Sequence, residues 1–153
     1  RKRVAGATHT HTHTRKRNTR MVGSLEGRKI VQAHKADDWA TGTHNSSSIA
    51  TKSHSYALVI LNAGTVGVSG TIDVTVEESD VSGSGYTAVT GAAFVQIDSA
   101  RDDGVYTGHL NLNARKAFIR VVAVVGTATC GVGVTVLLSP DDTRHDTNPI
   151  FSV

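Results

Sequence analysis

The stretch "GTIDVTVEES", residues 70–79, decides the fold. Ile72, Val74 and Val76 alternate with Asp73, Thr75 and Glu77. An extended chain turns successive side chains to opposite faces, so this alternation makes a strand with one face buried and one in water. The segment is also rich in β-branched residues, which suit a pleated surface better than a helix.

The pattern continues on both sides. "YALVILN" (residues 56–62) is an apolar run of strand length, and "DVSGSG" (80–85) is a Gly/Ser turn. "YTAVTG" and "AAFVQID" then read as two short strands, and "SARDDG" as a turn. In "VYTGHLNLN", Tyr106, Leu110 and Leu112 bracket polar positions, which puts His109 on the opposite face as a surface or groove residue. "KAFIRVVAVV" (116–125) is the longest strand, and its second half is apolar on both faces, so it belongs in the middle of a sheet. After the "GTATCG" turn, "VGVTVLL" (132–138) closes the body. Upstream, "KIVQAHK" (29–35) is a first short strand. "DDWATGTHNSSSIATKSHS" (37–55) reads as a polar connection anchored by Trp39.

These are about eight short strands separated by turns, with no amphipathic helix. The expected architecture is all-β, an antiparallel β-sandwich or jelly roll. The chain divides into an extended basic arm (1–27), a β-sandwich body (28–138) and a polar C-terminal tail (139–153). A length of 153 residues suits a single domain.

Charge separates the arm from the body. Ten of the 16 Lys and Arg residues fall within residues 1–35, against the single acid Glu26. Residues 36–153 hold the other six bases and twelve acids. Such asymmetry points to an arm that reaches for an anionic partner, which is either nucleic acid or a copy of its own acidic body. The arm has little large apolar content and is expected to be disordered in isolation. Its core is "THTHTHTRKRNTR" (8–20).

Candidate chemistry is sparse. In an extended chain His9, His11 and His13 fall on one face, about 6.6–6.8 Å apart. One zinc ion needs its nitrogens at about 2.0–2.1 Å, and no Cys, Asp or Glu stands near to complete the shell, so no metal site is expected. The acid pairs Asp102–Asp103 and Asp141–Asp142 read as solvated turns, because calcium wants more oxygens at set spacings. "SGSGY" misses the nucleophile-elbow pattern, and "GSLEGRK" lacks the phosphate-loop spacing. Cys130 sits among small apolar residues and reads as a buried inert thiol. No run of 18 apolar residues suggests a membrane span, and no hydrophobic signal region is seen. No cofactor and no catalytic residue are expected.

Three segments carry a resemblance. A strand ends in Glu77-Glu78-Ser79-Asp80. A Ser/Gly turn leads to the aromatic-Thr-x-Val strand Tyr86–Val89. Later comes the Lys-x-aromatic-Ile-Arg-Val-Val strand Lys116–Val122. Together, over about Tyr56–Leu138, they resemble a family of small structural proteins of tailed DNA bacteriophages. The resemblance implies a head decoration or cement protein. Such a protein binds the assembled capsid on the outer surface of the phage head and bridges neighbouring subunits. Its expected partners are the major capsid protein and further copies of itself, as a homodimer or homotrimer. The motifs are structural and bring no active site.

On that expectation Arg1, Lys2, Arg3, Arg15, Lys16, Arg17 and Arg20 make charged docking contacts, and Ile150 and Phe151 add an apolar hook. One alternative is a head–tail joining or tail component on the same body. Another is a nucleic-acid-binding module that uses the basic arm. A carbohydrate-binding sandwich is disfavoured by the low aromatic content, 5%.

Overall fold

A computed structural model describes residues 27–140 and 151–152. They form ten strands and no helix: β1 (Lys29–Trp39), β2 (Gly42–Asn45), β3 (Ile49–Ala50), β4 (Tyr56–Val66), β5 (Thr71–Ser79), β6 (Thr87–Ala93), β7 (Val105–Asn111), β8 (Phe118–Gly126), β9 (Cys130–Ser139) and β10 (Phe151–Ser152). The expectations placed on Arg1, Lys2, Arg3, His9, His11, His13, Arg15, Lys16, Arg17, Arg20 and Ile150 lie outside the described residues.

The strands form two sheets, β1-β9-β4-β7-β10 and β2-β8-β5-β6, with β3 beside β8. Without the two-residue strands β3 and β10, each sheet holds four strands. Along these eight strands the chain changes sheet at every step except from β5 to β6. This is the eight-strand jelly-roll order, a double-sheet sandwich of two Greek keys. All pairings are antiparallel except the parallel contact of β10 with β7.

The alternation of the opening stretch sets the core. Ile72, Val74 and Val76 of β5 are 0–1% exposed, while Asp73, Thr75 and Glu77 face outward. Across the sandwich, Val59 and Leu61 of β4 and Val134, Val136 and Leu138 of β9 are equally buried. Burying one such side chain fully contributes about 1.5–3 kcal/mol. β8 is central, between β5 on one side and β2 and β3 on the other. Val121 and Val122 are both buried, which accounts for its apolar second half. Cys130 is buried at 1% exposure.

Four expectations are corrected. The polar stretch 37–55 is not only a connection: it completes β1 and supplies β2 and β3. These are short or edge elements, where backbone pairing holds polar residues without a second apolar face. The first strand is long, 11 residues, with irregular register between Gln32 and His34 and between His34 and Asp37. Each irregularity inserts one extra residue on β1, and such bulges hide an apolar period.

"YTAVTG" and "AAFVQID" are a single course along β5. After β6 the Phe94 amide donates to the Val74 carbonyl at 2.9 Å, and Ile97 bridges to Ile72. Gly91, at φ 81, absorbs the irregularity between them. His109 does face away from Leu110, yet it is only 7% exposed. β10 pairs along the far side of β7 at Gly108 and His109.

Candidate interaction surfaces

The three resembling segments, distant in sequence, meet on the outer side of the β2-β8-β5-β6 sheet. Glu77 on β5 faces Arg120 on β8 in the strand register. Arg120 Nε and Nη2 each lie 2.7 Å from Glu77 Oε2. The guanidinium also lies over the Tyr86 ring, 4.4 Å from its centroid. Next to it Glu78 accepts from the Lys116 amide at 3.3 Å and pairs with Arg115 at 3.9 Å. Lys116 Nζ donates to Thr87 Oγ1 at 3.4 Å.

Ser79 is 2% exposed and ties down the turn: its Oγ donates to the Ser84 carbonyl and accepts from the Val81 amide. Tyr86 Oη and the Gly83 amide both donate to Ser48 Oγ, at 2.7 and 3.0 Å. Gly83 takes φ 87, which a turn this tight demands. The charges here are mutually satisfied and partly enclosed. The segment therefore clasps β5, the 80–86 turn and β8 into one rigid unit.

A second cluster closes the corner where β1 passes to β2 in the opposite sheet. His34 on β1 is 3% exposed, and its Nε2 lies 3.0 Å from the Val121 carbonyl of β8. A carbonyl only accepts, so Nε2 carries a proton. The Ser46 amide donates to the same oxygen at 2.9 Å, while Ser46 Oγ accepts from the Val121 amide. His34 thus links the two sheets at one edge of the sandwich. Trp39 stands edge-on between His34 and His44, at 5.0 and 4.2 Å between centroids. Burial holds the His34 imidazole below its ordinary pKa. The Val121 contact opposes this, and nearby His44 adds to it.

Phe151 closes the other edge. It is 6% exposed, packs edge-on against Phe94 at 4.9 Å between centroids, and pairs with Gly108. A Cβ on Gly108 would collide with the Phe151 ring atoms Cε1 and Cζ. Of the expected hook residues, Phe151 therefore anchors within its own body.

The strand ends differ in charge. Arg28 and Lys29 stand where β1 begins, and Lys52 precedes β4 at the same end. Asp37 and Asp38 close β1 at the other end, where the 98–104 turn brings Asp102 and Asp103. The Asp103 amide donates to the Gly64 carbonyl of β4. A shallow trough opens beside Asp37 and Asp38, lined by Ala36 of β1, Asn62 and Gly64 of β4, and Gly131 and Gly133 of β9. Lys35 pairs with Asp37 at 2.7 Å and lowers its pKa.

Sequence reasoning passed over His34 and His44, since each lies in a segment read as a short strand or a loop. The signal that finds them is Trp39 between two histidines spaced five residues on either side. Among the described residues no three His, Cys, Asp or Glu side chains gather as a metal site would need, and no helix is long and apolar enough to cross a membrane.

The class defined by these features is a jelly roll locked by a charged clasp and closed at both edges. No family model and no curated protein matches the chain.

Proposed function

We propose that this chain is a cement or decoration protein of a tailed bacteriophage, which binds the outside of the assembled head and stabilises it by bridging capsid subunits. The observation that carries this reading is the convergence of Glu77–Asp80, Tyr86–Val89 and Lys116–Val122 in one clasp. Segments that resemble a phage structural family here act as one mechanical unit on a jelly-roll body, an architecture also used by viral capsid domains. A clamp against internal pressure needs such rigidity and needs no reaction chemistry. The charge imbalance supports it further. The basic residues Arg1, Lys2, Arg3, Arg15, Lys16, Arg17 and Arg20 suit acidic grooves between capsid subunits. A protein that binds only the assembled lattice stabilises it by mass action, and repeated weak contacts around a shell gain strength by multivalency.

Co-sedimentation with expanded heads that lack the protein tests this. The full chain, and a form without residues 1–20, are titrated and bound copies counted. Saturation at hundreds of copies, weakened without residues 1–20, is expected. Saturation near a dozen copies points instead to the head–tail joint, and absence of binding ends the proposal.

A further inference from the structure

The slot that holds Phe151 is built by elements that stand without β10. β7 carries Gly108 and is paired with β4 along its whole length, from Asn62↔Val105 to Tyr56↔Asn111. Phe94 supplies the opposite wall, and its amide is fixed by the Val74 carbonyl at 2.9 Å. Gly108 leaves the space that the ring fills, since a Cβ there would overlap Cε1 and Cζ of Phe151. The occupant contributes only two paired residues, Phe151 and Ser152. The slot is therefore preformed, and what fills it is separable from it.

β10 enters this slot from an unexpected side. β9 ends at Ser139, in the register row of Tyr56 and Asn111. β10 runs parallel to β7, with Phe151 beside Gly108 and Ser152 beside His109. It therefore comes in from the Val105 end of β7, away from Ser139. Eleven residue steps separate Pro140 from Phe151. To fill the slot within one copy they must cross three strand spacings, about 14 Å, pass the slot and reverse. A tail from a copy standing beyond the Val105 end enters with no reversal, and the same eleven steps reach about 36–40 Å between copies.

We propose that this slot is an exchange site, in which Phe151 and Ser152 of one copy pair with β7 of a neighbouring copy. The contacts are the same in both forms: the ring between Gly108 and Phe94, and a short parallel strand on β7. Only the tether differs, so local concentration decides between the forms. A short tether holds its own end at an effective concentration of about 1 mM, and a path that must reverse lowers this figure. Copies fixed side by side on a larger body exceed it. Exchange deepens the copy-to-copy part of the proposed function, because tails passed between neighbours link them into a net, and it is tested without capsids.

The acceptor is the isotope-labelled full chain carrying Phe151→Ala, whose own tail brings no ring to the slot. Unlabelled wild-type chain is titrated into it, and the amide resonances of Phe94, Gly108 and His109 are followed by NMR. Half of the slots are expected to fill at about 1 mM donor or below, since the donor gives up only its own tether. A donor carrying Phe151→Ala is expected to leave these amides unmoved. A donor carrying Gly108→Ala, whose own slot rejects the ring, is expected to bind at least tenfold more tightly than wild type. Unmoved amides with wild-type donor, equal movement with the Phe151→Ala donor, or a Gly108→Ala donor no tighter than wild type overturns the inference. Exchange without head binding leaves it standing and removes only the cement reading, and head binding without exchange does the reverse.

Discussion

Gly108→Ala is the sharpest test of how the C-terminal residues join the body. A methyl group at Gly108 would fall well inside van der Waals contact of the Phe151 ring. The ring is bounded on its other side by Phe94 and is 6% exposed, so it has no room to retreat within its site. The outcome is release of β10 from β7. The cost is then the lost burial of Phe151, which for a core Phe truncated to Ala is about 3–5 kcal/mol. The lower part of that range applies, because β10 is a two-residue strand at a sheet edge. At about 2–4 °C per kcal/mol for a chain of this size, the melting temperature falls by about 6–12 °C. The assay is a double-mutant cycle by thermal or urea melting. If both substitutions act by undocking the same ring, Gly108→Ala adds almost nothing to Phe151→Ala, and the coupling energy nearly equals either single effect. Additive losses would refute the reasoning, since they would place the damage of Gly108→Ala in β7 itself.

Two further outcomes follow from the edges and the clasp. His34 has its pKa lowered in the folded chain, chiefly by burial. The unfolded chain therefore takes up a proton near pH 6.5 before the folded one does, and stability is whole above that pH and declines as pH falls below it. Each unit between the two pKa values is worth about 1.4 kcal/mol. His34→Gln, which keeps a donor for Val121 without titrating, should flatten the melting temperature between pH 7.5 and 5, and an equally steep variant would exclude His34 as the cause. Arg120→Ala should cost about 1–2 kcal/mol in urea melts, through the lost bond to Glu77 and the lost stacking on Tyr86. Arg120→Lys should recover less than half, because an ammonium neither forks nor stacks, and full recovery would show that charge alone matters.

The β-class was legible because burial at period 2 writes itself into residue type. Ile72, Val74 and Val76 are apolar because they face the opposite sheet, and any chain with that alternation must find a partner for that face. The centrality of β8 was legible for the same reason, through residues apolar on both sides. β2, β3 and β10 were not legible. They are held by backbone pairing at sheet margins, and backbone hydrogen bonds leave no trace in side-chain polarity. The bulges of β1 hid its full length, and the kink at Gly91 hid the continuity of "YTAVTG" with "AAFVQID", by shifting the alternation partway along.

The candidate surfaces divide in the same way. The amino-acid sequence alone determined that the chain is a strand-built body with a basic leading segment, because charge and hydrophobic period are properties of residue order. It also marked the clasp residues as motifs, without saying what joins them. Only the tertiary structure decided that Glu77, Tyr86 and Arg120 touch, that His34 spans two sheets, and that Phe151 packs on Gly108 and Phe94. Those facts depend on which strands lie side by side, and in a jelly roll the neighbours in space are strands far apart in the chain.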